Sequence, residues 1–155
     1  MPARVLVAVP HKALASVIAG LLRGIGVKWI SETHDSAFTA RLLSERAFDA
    51  VVLDNDIGPE GGIKLTRHLR ITNGPNKTVP VIMISSGADR RHIESARDAG
   101  IHEFLRLPIS AEVLRVRLAA ATANPRAFVS APEYAGPDRR RRRNAYRGAE
   151  RRTNR

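Results

Sequence analysis

A seven-residue pattern occurs twice near the C-terminus of the chain. Tyr-Ala-Gly-Pro-Asp-Arg-Arg at 134–140 is followed twelve residues later by Tyr-Arg-Gly-Ala-Glu-Arg-Arg at 146–152. Each copy of this Y-x-G-x-[DE]-R-R repeat places an aromatic ring, a glycine, a carboxylate and two guanidinium groups at the same spacing. A nonspecific basic arm has no reason to repeat an acid in register with arginines, because a carboxylate opposes the binding of a polyanion. The repeat therefore predicts recognition of a defined ligand.

The residue types of the repeat suit a guanine nucleotide. Arginine can form two hydrogen bonds with guanine O6 and N7, and it also pairs with phosphate. A carboxylate can accept hydrogen bonds from the guanine N1–H and amino group, a tyrosine ring or a guanidinium plane can stack on the base, and glycine lets the backbone approach. Two copies suit a ligand with two guanines and two phosphates. The predicted ligand-binding residues are Tyr134, Gly136, Pro137, Asp138, Arg139, Arg140, Arg141, Arg142, Arg143, Tyr146, Arg147, Gly148, Glu150, Arg151 and Arg152.

Charge is distributed unevenly along the 155 residues. The net charge is +11, and residues 126–155 contribute +7 of it, with ten arginines against three acids. Such a segment is typical of an arm that binds a polyanion. It has few aliphatic residues to bury, so we expect it to be disordered when no ligand is bound.

Composition also excludes several classes of chemistry. The chain has no cysteine, so disulfides, thiolate nucleophiles and cysteine-ligated metals are ruled out. The apolar run Val5–Val9 is too short for a signal peptide or a membrane span, and a cytoplasmic location is predicted.

Residues 1–124 alternate between short apolar runs and segments with helical spacing, which predicts an α/β domain. The expected fold is a five-stranded parallel doubly wound sheet with helices on both faces and functional sites at the carboxyl ends of the strands. Residues 125–155 are assigned to the arginine-rich ligand-binding tail, beginning with a linker at Pro125–Pro132. Strands are predicted at Val5–Val9, Val27–Ile30, Ala50–Leu53, Val81–Ile84 and His102–Leu105. Helices are predicted between and after these strands, with Val17 and Phe38 on their buried faces. Three of the helices are predicted to begin at the N-cap residues Asp35, Asp89 and Ser110.

Three motifs over residues 4–122 resemble the CheY-like receiver domain of bacterial response regulators. V-V-L-D ends at Asp54, P-V-I-M-I-S ends at Ser85, and D-A-G-I-H-E-F-L-R-L-P ends at Pro108. In that family an aspartate after the third strand accepts a phosphoryl group, and a pair of acids after the first strand holds Mg²⁺. A Ser or Thr follows the fourth strand, and a lysine precedes the proline after the fifth.

The resemblance is incomplete at the residues that do this chemistry. Asp54 matches the phosphoacceptor, but the acidic pair falls on Val9 and Pro10, and the lysine falls on Leu107. Mg²⁺ needs oxygen ligands, which neither valine nor proline side chains provide. Phosphoryl transfer depends on positioning and on neutralising charge, and this sequence lacks both the Mg²⁺ site and the lysine that serve these purposes in the family. We therefore predict no enzymatic activity and no metal, with Asp54 as a vestigial phosphoacceptor.

The tail looks like that of the Cle group, which are CheY-like effectors of cyclic di-GMP. These are degenerate receiver domains whose arginine-rich C-terminal segment binds the dinucleotide and which act on the flagellar motor. The resemblance implies that the tail residues named above bind cyclic di-GMP. It also implies that the receiver-like body docks on the flagellar motor switch protein FliM, which would recruit the protein to the motor. In this interpretation the ligand orders the tail and changes how the last strand and helix meet the partner.

Two other interpretations remain open. The run Arg139–Arg143 alone would favour an arm that binds RNA or DNA without sequence preference, carried on a pseudo-receiver domain. A phosphorylated receiver with an incidental tail is the third possibility, and the missing acids and lysine make it the weakest. Salt separates the first two, because nonspecific polyanion binding falls steeply as salt rises, whereas a stacked and hydrogen-bonded guanine site should lose less affinity.

Overall fold

The computed structural model describes residues 1–123, 128–131 and 134–138. Five strands and five helices alternate along the first 123 residues, as predicted. The strands are β1 (Arg4–Ala8), β2 (Trp29–Thr33), β3 (Ala50–Asp54), β4 (Val81–Ser85) and β5 (Glu103–Arg106). The helices are α1 (Lys12–Gly24), α2 (Ser36–Glu45), α3 (Gly62–Ile71), α4 (Arg90–Ala99) and α5 (Ala111–Ala123).

The five strands form one parallel sheet in the order β2-β1-β3-β4-β5. The predicted five-stranded parallel doubly wound α/β fold is therefore confirmed. Strands β3 and β4 are buried along their whole length, which explains their continuous apolar sequence. Among the described residues, no helix is long and apolar enough to cross a membrane.

Two hydrophobic clusters, one on each face of the sheet, form the core. The cluster on the side of α1 and α5 includes Val7, Ile18 and Leu114, and the other includes Leu53 and Leu65. The two faces use alternate residues of the same strands, because successive side chains of a strand point in opposite directions. Within the described part of the chain, neither cluster includes a residue beyond position 118.

The predicted helix caps are confirmed. The side chains of Asp35 and Asp89 accept hydrogen bonds from the backbone amides of Phe38 and His92, each at 2.8 Å. The Ser110 hydroxyl oxygen accepts from the Val113 amide at 3.2 Å. These bonds satisfy amides that the first turn of a helix leaves without a partner.

Some predicted details of the first half are wrong. β2 begins at Trp29 rather than Val27, because Trp29 pairs with Arg4 at the start of β1. It is an edge strand, and the Trp29 side chain is 62 % exposed. Val17 and Phe38, which were expected to be buried, also lie at the surface. An apolar side chain on a helix indicates the buried face only roughly, since small residues such as Ala15 and Ala19 take the central positions of α1.

Two further strands follow α5, where the sequence predicted a linker and a disordered tail. β6 (Phe128–Ala131) and β7 (Tyr134–Pro137) pair antiparallel, with Phe128 opposite Pro137 and Ala131 opposite Tyr134. β7 packs against α3 and α4. This β6–β7 hairpin corrects the predicted extent of the disordered tail. The alternation of side chains over four residues was too short to predict a strand, and the surface that receives the hairpin is formed by distant residues.

Candidate functional site

The carboxyl edge of the sheet brings together the residues that the sequence singled out in the body. Asp54 is the last residue of β3, and Ser85 is the last residue of the neighbouring β4. Val9 follows β1 on the other side of β3, and Leu107 follows β5. Parallel neighbours end at the same edge of a sheet, so these four positions lie along one edge.

Asp54 is buried at the end of β3. Its side chain is 6 % exposed, and its Oδ1 accepts a hydrogen bond from the Asp56 amide at 2.8 Å. Burial raises the pKa of Asp54 above its ordinary value of 3.8, and the Asp56 carboxylate adds to the increase. The Asp56 amide and the charge of His11 act in the opposite direction on this pKa. The carboxyl group is thus held by a backbone hydrogen bond in surroundings that disfavour its charge.

The residues beside Asp54 do not fit the Mg²⁺ site of the resembled family. Val9 is fully buried in the hydrophobic core, and its carbonyl oxygen is hydrogen-bonded to Nδ1 of His34 at 2.9 Å. Leu107 packs against the same core. Among the residues that the structure describes, no three His, Asp or Glu side chains are grouped so that they could hold a metal ion. Val9 and Leu107 are apolar side chains at positions where the resembled family has an acid and a lysine.

The other polar groups at this edge are engaged within the protein. The Ser85 hydroxyl donates to the Gly87 carbonyl oxygen at 3.0 Å and accepts from the Gly87 amide at 3.3 Å. Asn55 Oδ1 and His92 Nε2 lie 2.6 Å apart, and the His92 ring meets Phe104 edge-on with centroids 6.3 Å apart. These contacts join the loop after β3 to α4 and β5. Sequence reasoning missed this Asn55–His92–Phe104 chain, since the three residues belong to different elements.

A second candidate region is the β6–β7 hairpin, which contains the first copy of the tail repeat. Tyr134 is half-buried, and its hydroxyl donates to the Pro137 carbonyl oxygen at 2.5 Å. Gly136 and Pro137 are buried, and Asp138 follows them in a half-buried position. The structure therefore brings four predicted ligand residues together in one strand and its next residue. The other predicted residues lie outside the described part of the chain: Arg139, Arg140, Arg141, Arg142, Arg143, Tyr146, Arg147, Gly148, Glu150, Arg151 and Arg152.

Two residues of the body receive this hairpin. Gly100 ends α4 with a left-handed backbone, φ 107°, and a Cβ at this position would lie 2.7 Å from the Ala135 carbonyl oxygen. Arg70, at the end of α3, is 1 % exposed. Its Nε donates to the Gly100 carbonyl oxygen and its Nη1 to the Lys77 carbonyl oxygen, both at 2.9 Å. The sequence showed Gly100 only as a helix end, and nothing in it distinguished Arg70 from an exposed arginine.

The buried guanidinium group of Arg70 carries an electrostatic cost. Burial lowers the pKa of Arg70 to about 10, and its interaction with Tyr134 offsets part of that decrease. Nη2 also lies 3.4 Å from Nδ1 of His102, which accepts from the Val81 amide at 3.2 Å. At a pKa of about 10 Arg70 remains charged near neutral pH, so its hydrogen bonds to carbonyl oxygens are charge-assisted.

Comparison with known proteins agrees with the fold. Residues 5–119 match the family model described as the response regulator receiver domain. The chemotaxis protein CheY-3 of Vibrio cholerae is 28 % identical over 115 residues, which cover 74 % of this chain and 88 % of that protein. The chemotaxis protein CheY of Pseudomonas aeruginosa is also 28 % identical over 115 residues, covering 74 % of this chain and 92 % of that protein.

Solved structures show the same architecture. The receiver domain of a sensor histidine kinase from Pseudomonas aeruginosa, solved with a magnesium ion in its active site cleft, superposes with a TM-score of 0.72 at 21 % identity. The match covers 80 % of this chain and all of that domain. A Francisella receiver domain gives a TM-score of 0.70 at 24 % identity, covering 78 % of this chain and 97 % of that one. At these identities the likeness concerns the fold.

Proposed function

The chain belongs to the response regulator receiver domain family, and we propose that its input is a cyclic dinucleotide bound by the C-terminal tail rather than a phosphoryl group on Asp54. In this proposal the protein is a non-enzymatic effector of cyclic di-GMP. Its receiver-like body then regulates the flagellar motor by docking on the switch protein. The observation that carries the proposal is the Y-x-G-x-[DE]-R-R repeat, whose two copies match the two guanines and two phosphates of that ligand.

The residues at the carboxyl edge of the sheet support the proposal that the input signal is not phosphorylation of Asp54. Val9 and Leu107 are part of the core or packed against it, so these two positions supply neither a metal ligand nor a cation to the Asp54 carboxylate. The pKa of Asp54 is raised because the effect of burial outweighs the opposing effects of the Asp56 amide and the charge of His11. A receiver with this pocket retains the fold of a signalling domain without the groups that neutralise a phosphoryl transition state.

The chemistry of the ligand site follows from the types of its residues. The arginines of each copy would pair with phosphates and with guanine O6 and N7. Asp138 in the first copy and Glu150 in the second would accept from the opposite guanine edge, while Tyr134 and Tyr146 would stack on the bases. Tyr134 is half-buried within the hairpin.

The motor partner is supported by the relatives and by the surface of the body. Two of the relatives are named chemotaxis proteins. In the proposal, the last strand and helix, including the half-buried Phe104 and the exposed apolar residues Val113 and Val116 of α5, contact the switch protein FliM. Ligand on the tail then alters how this surface meets its partner.

The acid of the first copy gives the sharpest test, because the two leading models predict opposite signs. In a guanine site, Asp138→Asn weakens a charge-assisted hydrogen bond that contributes about 1.5–3 kcal/mol, so the affinity for cyclic di-GMP should fall about ten- to hundredfold. In a nonspecific polyanion arm, the same change removes a repulsive charge and should tighten binding slightly. Calorimetry at moderate salt measures the difference.

A matched control uses the acid that lies just outside the repeat. Glu133→Gln makes the same change of charge five residues before position 138, so it should leave a guanine site unchanged within about twofold. Cyclic di-AMP serves as the control ligand, since adenine presents an amino group where guanine presents O6. Unchanged or tighter binding by Asp138→Asn contradicts the guanine site and leaves the nonspecific arm.

A further inference from the structure

The β6–β7 hairpin meets the body at a point where two backbones touch without a side chain between them. A Cβ on Gly100 would lie 2.7 Å from the Ala135 carbonyl oxygen, and a Cβ on Gly136 would lie 2.7 Å from the Gly100 Cα. Carbon atoms of side chains do not approach neighbours so closely. The contact therefore requires glycine on both of its sides.

Arg70 also lies against Gly100. A Cβ on Gly100 would also lie 2.9 Å from Arg70 Cγ and 3.2 Å from its Nε. Because Arg70 Nε donates to the Gly100 carbonyl oxygen, the arginine holds the turn after α4 against the end of α3. The Lys77 carbonyl oxygen accepts from the same guanidinium group, which fixes its plane. Gly100 is thus in close contact both with a buried cation and with the strand that carries the first copy of the repeat.

We infer that Gly100 and Arg70 form a seat for the hairpin and act as positioning residues for the tail's ligand. The seat holds Tyr134, Gly136 and Pro137 in one arrangement before a ligand arrives. This inference rests on the proposed function, because the ligand in question is the proposed cyclic dinucleotide. It goes beyond that function by assigning part of the affinity to two residues far from the tail in sequence.

Pre-arrangement by the seat has a direct thermodynamic consequence. A segment that is ordered only on binding lowers the affinity, since each immobilised side chain costs free energy. A docked hairpin has already met that cost at Tyr134 and Pro137, whose hydroxyl and carbonyl groups are hydrogen-bonded to each other. Docking of the hairpin and binding of the ligand are thermodynamically linked. If docking raises the affinity for the ligand by some factor, the bound ligand raises the equilibrium constant for docking by the same factor. Adding ligand should therefore tighten the hairpin on the body.

Gly100→Asn tests the seat, with Gly26→Asn as its matched control. Both glycines have a positive φ, 107° and 103°, and asparagine tolerates this region better than most residues. The two substitutions therefore cost similar backbone strain. They differ in surroundings, because a Cβ on Gly26 meets only Met1 Cγ at 4.0 Å, whereas a Cβ on Gly100 collides with Ala135 and Arg70.

Hydrogen exchange without ligand measures docking independently of the proposed function. Amides of 128–131 and 134–136 should exchange at least about tenfold faster in full-length Gly100→Asn than in the wild type, and at an unchanged rate in Gly26→Asn. Amides of β3 and β4 report that the body is still folded in both. Equal protection of the hairpin in all three proteins overturns the seat.

Calorimetry with cyclic di-GMP then measures positioning. We expect Gly100→Asn to bind about tenfold more weakly and Gly26→Asn to bind like the wild type. In the wild type, the ligand should slow exchange of the hairpin. A hairpin released by Gly100→Asn together with unchanged or tighter binding overturns the positioning role while leaving the proposed function intact. A wild type that does not bind the ligand overturns the proposed function and the positioning role with it, and the exchange rates still decide the seat.

Arg70→Lys supplies a second variant if Gly100→Asn does not fold. Lysine keeps the charge but has no planar fork that could serve the Gly100 and Lys77 carbonyl oxygens together. Faster hairpin exchange and weaker binding are expected in the same direction as for Gly100→Asn. Hairpin exchange equal to that of the wild type contradicts the role of Arg70 in the seat.

Discussion

The carboxyl edge of the sheet and the hairpin seat represent two opposite uses of one fold. At the edge, side chains that would carry phosphoryl chemistry in the resembled family are replaced by Val9 and Leu107, which pack into or against the core. At the seat, Gly100 removes a side chain so that the strand with the first copy of the repeat can reach the body. One region has apolar side chains where the resembled family has reactive groups, while the other lacks a side chain and so allows two backbones to touch.

The difference shows that the core and the chemistry of this domain can be separated. Both hydrophobic clusters are built from residues 5–118, and they include neither Asp54 nor any described residue of the hairpin. The polar groups at the edge of the sheet can therefore change without loss of the fold, and a new element can be added at α3 and α4. Four predictions test this separation, from the largest expected effect to the smallest.

Deleting residues 126–155 should remove ligand binding and leave the body folded. Neither hydrophobic cluster extends beyond Leu118, and the buried Ala121 also precedes the deletion, so the truncated protein should remain folded, with a circular dichroism spectrum typical of an α/β domain. Cyclic di-GMP binding should fall more than about hundredfold, because both copies of the repeat are removed. Calorimetry with the truncated and full-length proteins checks this. Similar affinities for both would place the ligand site in the body.

Arg70→Ala should show that the seat also supports the body. The change leaves the Gly100 and Lys77 carbonyl oxygens without their charged donor, and we expect a loss of about 2–4 kcal/mol in the free energy of unfolding. Arg67→Ala is the matched control on the same helix, since Arg67 is exposed and should cost less than about 0.5 kcal/mol. Urea unfolding measures both. Equal, small losses would mean that the Arg70 hydrogen bonds contribute nothing to stability.

Asp54→Asn should stabilise the domain at neutral pH. Because the folded pKa of Asp54 is raised above 3.8, its stabilising contribution is fully present only below 3.8, where the group is protonated in both states. The contribution is lost as the pH rises through the interval between 3.8 and the raised value. Asparagine stays neutral and keeps an oxygen that can accept from the Asp56 amide. The gain from Asp54→Asn should therefore be present at pH 7 and shrink as the pH falls through that interval, as measured by thermal unfolding across pH. A gain that is independent of pH would contradict a raised pKa.

The smallest expected effect is none at all. Incubation of the protein with Mg²⁺ and a small phosphodonor should leave the mass of the chain unchanged, because Asp54 has neither the acidic pair nor the lysine beside it. Asp54→Asn should also leave the affinity for cyclic di-GMP unchanged, since the tail carries the proposed site. Stoichiometric phosphorylation of Asp54, seen in the mass spectrum, would contradict this prediction. Phosphorylation would then be an input of the protein.

The sequence by itself predicted the parallel sheet, the helix caps and the absence of acids at the carboxyl edge of the sheet. The apolar runs ending at Asp54 and Ser85 predicted buried parallel strands, because only strands covered on both faces are apolar at every position. Asp35 and Asp89 predicted helix starts through a local hydrogen bond that depends on residues three apart. The absence of acids at Val9 and Pro10 was also visible without coordinates, since parallel strands end at a common edge.

Only the tertiary structure decided where Arg70 and the hairpin lie. Arginine at the end of a helix is ordinarily exposed, and its burial here depends on carbonyl oxygens of Gly100 and Lys77, which approach it only when α3, α4 and the loop before β4 are packed together. The exposure of Trp29 likewise follows from the position of β2 at the edge of the sheet. Periodicity and capping act over a few neighbouring residues, so a sequence states them directly. A close approach between Gly100 and Ala135 is a contact between distant parts of the chain, and it exists only once the whole fold has formed.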